Sequence, residues 1–263
     1  MSPTIASAFA ILLYSVSAFL IVKQLGQAPQ KRWHSLLPAM LALICQAYAL
    51  KIQILQPGGL NLGFFIAFSL IAWLISIQII ISSFYRRIES LGIVIFPVSG
   101  LASLLAGLGL SDQLISTTGS AIQGHIMISI IAYSLITLGA FHAGLLAYQD
   151  RAIREHQPGG FVRFLPPLHD METLLFQFLA FGFVCLSISL LTGFFYLEDI
   201  FAQHLVHKTV LSIVAWLILG ILLFGRFQYG WRGIRAIRWT LASFVFLMLA
   251  FFGSKLVLEF ILR

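Results

Sequence analysis

Residues 62–82 read LGFFIAFSLIAWLISIQIIIS, an apolar run without a single charged side chain. A helix of about 20 such residues spans the hydrocarbon core of a bilayer. Comparable runs recur along the whole chain, at about 4–22, 36–55, 91–108, 122–147, 174–196, 209–225 and 238–260. The pattern predicts an all-α polytopic membrane helix bundle with about eight transmembrane helices. We expect residues 1–263 to form a single transmembrane domain. Within it, the fifth connection is the longest, at about 148–173, and is expected to join two sub-bundles, helices 1–5 and helices 6–8.

The composition agrees with a membrane protein. Of the 263 residues, 60% are hydrophobic and only 10% are charged, whereas soluble domains carry about 25% charged residues. This excludes an ordinary cytosolic enzyme. A net charge of +7 could suggest nucleic-acid binding, but the basic residues lie in short connections between the apolar runs. We therefore expect membrane lipid, and no nucleic acid, as a partner.

The placement of the basic residues predicts the orientation of the helices. Twelve of the sixteen lie in odd-numbered connections, namely Lys23, Lys31, Arg32, Arg86, Arg87, Arg151, Arg154, Arg163, Arg226, Arg232, Arg235 and Arg238. Cytoplasmic loops of membrane proteins carry the excess of Lys and Arg. The odd-numbered connections are therefore predicted to be cytoplasmic, and both termini to lie on the non-cytoplasmic side.

Catalytic motifs are missing from the sequence. It contains no P-loop, no HExxH, no GxSxG and no paired-carboxylate pattern, so we expect that the protein is not an enzyme. The middle of each apolar run also lacks acidic residues. Carboxylates inside the membrane are typical of proton- and cation-coupled transporters. A transporter is therefore the least favoured function for this sequence.

Histidines supply the candidate binding residues. His125 lies one turn into the fifth predicted helix, at its external end, and His204 and His207 lie in the sixth connection on the same side. Because imidazole is a common axial ligand of haem (heme) iron, these three are candidate cofactor ligands, with His125 as the metal ligand. His204 and His207 could equally be exposed interfacial side chains. For His142, deeper in the fifth helix, buried packing with a backbone hydrogen bond is the default expectation.

A stripe of mostly small residues shares the helix face of His125. At 100° per residue it comprises Ser129, Ala132, Ile136, Gly139 and Ala143. Small residues allow another helix to approach closely. They would also leave room for a flat cofactor beside His125. Residue spacing alone favours a helix-packing face, and it leaves open a flat cofactor beside His125.

Five segments together carry a family resemblance. They are HIMISIIAY at 125–133, LPPL at 165–168 followed by Met171-Glu172, LTGFF at 191–195, KTVLS at 208–212 and YGWRG at 229–233. In this order and on this topology, the chain resembles the cytochrome c assembly family of membrane proteins, the CcsA/CcmC group, and within it the compact YpjD/HemX-like branch. The resemblance implies the bacterial inner membrane and a role in handling haem for cytochrome c-type biogenesis. His125 matches the first external haem-ligating histidine of the family.

The sequence also departs from the family pattern. The sixth connection stands where a Trp-rich haem-handling loop is expected, yet it contains no Trp. In a rough alignment, Phe224 replaces an intramembrane histidine, and residues 255–257 replace a second external one. Two functions therefore remain open: a haem-binding membrane protein, in which His204 or His207 substitutes as the second ligand, and a cofactor-free accessory or regulatory subunit of another membrane protein.

Overall fold

Eight apolar helices form the described part of the protein. The computed structural model describes residues 2–24, 32–57, 59–85, 88–110, 114–115, 120–155, 162, 165, 167–196 and 203–253. Within these ranges, eight helices are long and apolar enough to cross a membrane. They are α1 (Pro3–Gln24), α2 (Arg32–Ile54), α3 (Phe64–Tyr85), α4 (Gly92–Gly107), α5 (Ser120–Arg154), α6 (Leu168–Tyr196), α7 (Gln203–Tyr229) and α8 (Ile234–Met248). The predicted all-α architecture is confirmed.

Several helices extend beyond their apolar runs. The apolar run of the fifth helix suggested an end near 147, whereas α5 continues to Arg154. Its last turns are polar and carry two ion pairs at i, i+4 spacing, Asp150 with Arg154 at 3.0 Å and Arg151 with Glu155 at 2.8 Å. Such pairs support a helix in water. Hydropathy marks the membrane-compatible part of a helix and therefore misses its polar ends.

A small sheet lies in the connections of the first four helices. Strands β1 (Leu55–Gln56), β2 (Gly59–Asn61) and β3 (Leu114–Ile115) pair antiparallel in the order β1-β2-β3. Leu60 is opposite both Leu55 and Ile115. The sequence analysis predicted no strands, because segments of two or three residues are too short to show the period-two alternation of a strand.

Contacts divide the chain into two compact units, residues 1–117 and 118–263. The first holds α1–α4 and the second holds α5–α8. The long fifth connection had suggested a division after the fifth helix instead, which is wrong. The reason is packing, because α5 contacts α6 extensively and also contacts α8. The expectation of a single transmembrane domain stays a prediction.

A buried polar network joins the helices of the first unit. Gln46 on α2 accepts a hydrogen bond from the Tyr14 hydroxyl at 2.9 Å. Its amide nitrogen lies 3.0 Å from the Ser69 hydroxyl. Ser76 and Ser99 form a hydroxyl–hydroxyl bond of 2.7 Å between α3 and α4. Inside a bilayer such side chains hold helices together, because no water is present to satisfy them.

Candidate functional site

His125 is held by a hydroxyl of the neighbouring helix. Its Nδ1 lies 3.0 Å from Thr192 Oγ1, where the start of α5 meets the end of α6. Thr192 Oγ1 also lies 2.9 and 3.0 Å from the backbone carbonyl oxygens of Ile188 and Ser189, which can only accept. We assign the Thr192 hydrogen to these carbonyls, so that its oxygen accepts the Nδ1–H of His125. Neutral imidazole in this tautomer presents Nε2 as its lone-pair nitrogen.

A second pair of hydroxyls fixes the backbone below His125. Ser129 donates to the carbonyl oxygen of His125 at 2.6 Å. The Ser129 and Ser189 hydroxyls lie 2.7 Å apart, and because the Ser129 hydrogen is already used, Ser189 is the donor. His125, Thr192, Ser129 and Ser189 thus form one connected cluster, the α5–α6 hydroxyl cluster. A metal-binding histidine is oriented by this kind of hydrogen bond to its other ring nitrogen.

The small-residue stripe below His125 is covered by α6. A Cβ added at Gly139 would lie 2.8 Å from Leu179 Cδ2, and one added at Gly182 would lie 2.8 Å from Ile136 Cγ1. Ala132, Ile136 and Ala143 are fully buried. The packing interpretation of the stripe is therefore the right one. A flat cofactor has no room along it, and binding at His125 is restricted to the end of the helix pair.

The other two candidate ligands are placed differently. His207 lies in the second turn of α7 and is exposed. The backbone of His204 belongs to the first turn of α7, but its side chain lies outside the described residues. Within the described residues, no group of three or more His, Cys, Asp and Glu side chains is arranged to hold a metal ion. Among the described residues, the hydrogen-bond partner of the His125 ring is a hydroxyl and not a second imidazole.

His142 is fully buried in the second unit. Its Nδ1 donates to the Leu138 carbonyl at 2.9 Å, and its ring lies 5.3 Å from that of Phe178. Among the described residues, Nε2 has no hydrogen-bond partner. The expected backbone hydrogen bond and buried packing are both present.

Two of the family-like segments meet at the opposite end of this unit. Glu172 Oε1, at the start of α6, accepts the backbone N–H of Gly233 at 3.2 Å and lies 3.7 Å from Arg226 Nη1. The Trp231 ring packs on Gly225, where an added Cβ would lie 2.5 Å from it. Residues 225–233 comprise the last turn of α7 and the connection to α8, and we term them the α7–α8 turn. They are therefore fixed by tertiary contacts. The sequence did not predict that these two segments touch.

Phe224 had been aligned with an intramembrane histidine of the family. Its side chain is 61% exposed and its ring contacts Tyr229 at 6.2 Å between centroids. It therefore lies on the outer face of α7. A histidine at this position would point away from the described core of the second unit.

Fold and site together define a class: a polytopic membrane protein in which a histidine is oriented by hydroxyls at one end of a helix pair. The chain belongs to the cytochrome C assembly protein family, whose family model matches residues 33–262. The resemblance stated from the sequence is thereby confirmed. With eight candidate spans, the chain is a multi-pass inner-membrane protein.

Two relatives illustrate the similarity. The chain is 34% identical over 265 residues to the inner membrane protein YpjD of Escherichia coli (strain K12), covering 96% of this chain and 97% of the relative. It is 35% identical over 147 residues to an uncharacterized 28.8 kDa protein of Azospirillum brasilense, covering 55% of this chain and 54% of that protein. No solved structure matches the chain significantly.

Proposed function

We propose that the protein binds haem through His125 and handles it for cytochrome c-type biogenesis, without itself being an enzyme. The observation that carries the proposal is the Thr192–His125 hydrogen bond, which orients the ring and, with Nδ1 as the donor, leaves Nε2 as the lone-pair nitrogen. Family membership supports the same role, since the matching family is described as a cytochrome C assembly protein.

The hydrogen-bonding groups around His125 are of the kind that orient a histidine bound to haem iron. A metal-ligating histidine commonly donates its second ring N–H to an oxygen acceptor, which fixes the tautomer and raises the basicity of the ligand. Thr192 supplies that acceptor, and Ser129 and Ser189 fix the backbone beneath the ring. Bound haem would supply an iron centre, which His125 would hold through its imidazole nitrogen. His207 and His204 on α7 are the proposed sources of a second histidine ligand.

The absorption spectrum of the detergent-purified chain from haem-replete cells tests this function. Wild type is expected to show a Soret band that shifts on reduction, and H125A is expected to lose it. H169A is the matched control, because His169 is an exposed histidine at the opposite end of α6. H207A, if His207 is the second ligand, should keep part of the haem with an altered spectrum. A full haem complement in H125A would refute the assignment.

A cofactor-free accessory subunit is the second candidate function. Coverage of the small-residue stripe by α6 favours it, since the closest packed face of α5 serves structure and not a cofactor. The sixth connection, which lacks Trp, agrees with this. A wild-type protein that is colourless even after haem supplementation, and that copurifies with another membrane protein after gentle solubilisation, would favour this candidate over the first.

We infer that both termini lie on the non-cytoplasmic side, so that the His125 end of the α5–α6 pair is external. The distribution of Lys and Arg supports this orientation. In the structure, the paired charges of α5 and the arginines of the α7–α8 turn lie at helix ends predicted to be cytoplasmic. Haem bound at His125 would then be presented on the side where cytochrome c maturation takes place in the family.

A further inference from the structure

The α7–α8 turn and the first turns of α8 form a basic surface. Arg232 has 60% of its side chain exposed, and Arg235 and Arg238 are also exposed. Because Arg235 and Arg238 are three residues apart on α8, they lie on the same side of the helix. Among the described residues, no carboxylate lies within ion-pair distance of Arg235 or Arg238. Glu172 is the acidic neighbour of this surface, 3.9 Å from Arg232 Nε.

The backbone beneath these arginines is rigidly held. Gly230 has a φ of +64° and Gly233 a φ of +56°, both in the left-handed region. The carbonyl of Trp231 accepts a hydrogen bond from Arg226 at 3.2 Å, and Glu172 binds the N–H of Gly233. Arg226 also lies 4.5 Å from the Phe176 ring. Arg226 and Glu172 thus fix the turn, while Arg232, Arg235 and Arg238 remain exposed beside it.

The surface lies at the edge of the apolar span. The candidate membrane span of α8 begins at Ile234, directly after the turn. Trp231 and Trp239 flank the arginines, and their ring centroids are 5.6 Å apart. Tryptophan favours the headgroup level of a bilayer. Arginines at the headgroup level are within reach of lipid phosphates, and guanidinium groups bind phosphate oxygens in a bidentate manner.

We propose that Arg232, Arg235 and Arg238 form a binding site for the headgroup of an anionic phospholipid, with Trp231 and Trp239 against its glycerol and upper acyl region. The excess of positive charge is complementary to the lipid phosphate. The fixed turn reduces the conformational entropy lost when the headgroup binds. The adjoining apolar span selects a lipid over a soluble phosphate compound. This site is independent of the proposed haem function.

Native mass spectrometry of the delipidated full chain tests the site, with phosphatidylglycerol titrated in detergent. Wild type is expected to bind phosphatidylglycerol saturably and phosphatidylcholine weakly. R235Q/R238Q should weaken phosphatidylglycerol binding roughly thirty-fold, and each single variant about five-fold, from the usual contribution of an arginine near an anionic surface. The single variants keep the test valid if the double variant does not fold.

The matched control is R151Q/R154Q at the end of α5. These two arginines are also exposed, but each already pairs with a carboxylate of its own helix, so their replacement should leave phosphatidylglycerol affinity unchanged. Equal affinity of wild type and R235Q/R238Q would overturn the proposal. Equal binding of phosphatidylcholine would do the same. Displacement of the lipid by an equimolar amount of soluble glycerol phosphate would show that the site takes free phosphate and would also overturn it.

Discussion

At the scale of single residues, the most informative feature is the proton on His125. With the Thr192 hydrogen assigned to the α6 carbonyls, the ring of His125 donates to Thr192. This tautomer then follows from the helix geometry of α6. His125 was recognisable in the sequence, because it lies one turn into an apolar run and matches a histidine of the family. Its partner was not, because Thr192 is 67 residues away.

Removal of the Thr192 hydroxyl should weaken haem binding while preserving the fold. T192V replaces the residue with a side chain of similar shape, so the His125 ring loses its acceptor and its fixed orientation. Loss of such an orienting bond typically costs about 10- to 100-fold in metal affinity. Titration of the purified apoprotein with haem, followed by absorbance, measures the change in Kd.

T173V is the control for this variant. Thr173 lies on the same helix, and among the described residues its hydroxyl bonds the His169 carbonyl one turn earlier. Its replacement should leave the Kd for haem within about two-fold of wild type, because surface changes of this kind have small effects. An unchanged Kd for haem in T192V would show that Thr192 does not orient the haem ligand. The H125A variant would still test His125 separately.

At the scale of elements, close packing between α5 and α6 holds the second unit together. Gly182 and Gly139 let the two helices approach until a Cβ at either position would overlap with the facing side chain. In a bilayer, where apolar side chains gain little from leaving lipid, such close packing is a main source of helix association. The small-residue stripe of α5 indicated a packing face, but only the structure identified α6 as the helix that covers it.

Substitution of Gly182 by alanine should destabilise this helix pair. The added Cβ would lie 2.8 Å from Ile136 Cγ1, and Ile136 is fully buried and cannot move aside freely. Overpacking of this kind costs about 1–3 kcal/mol. The apparent Tm of the purified protein in detergent is therefore expected to fall in G182A.

G144A provides the comparison. Nothing lies within 4 Å of a Cβ added at Gly144 on α5. Alanine has a higher helix propensity than glycine, by about 1 kcal/mol, so the apparent Tm of G144A should stay the same or rise. If G182A and G144A had the same Tm, the close approach of α5 and α6 would not contribute measurably to stability.

At the scale of the whole molecule, the testable quantity is the orientation of the helices. Eight spans and the excess of basic residues in alternate connections predict that both termini are external. Alkaline phosphatase fused after Arg263 should be active, and green fluorescent protein fused at the same position should not fluoresce. Fusions after Gly230, in a connection predicted to be cytoplasmic, should behave in the opposite way. Fluorescence from the fusion at Arg263 would reverse the predicted topology.

The sequence alone determined the class of protein, the number of helices and the family. These properties depend on hydropathy over about 20 residues and on short segments, and both are local along the chain. Helix ends were less accurate, as at Arg154 of α5, because charged turns outside the membrane continue a helix without an apolar signal. The sheet was missed because its strands of two or three residues are too short to show an alternating pattern.

Only the tertiary structure decided which residues meet. It paired His125 with Thr192, Glu172 with the N–H of Gly233, and Gly182 with Ile136. It also placed the division of the chain after residue 117 and not after the fifth helix. Each of these contacts joins residues far apart in the sequence, and depends on the rotation and depth of one helix against another. Those quantities are fixed by side-chain packing between helices, which the periodicity of a single helix does not specify.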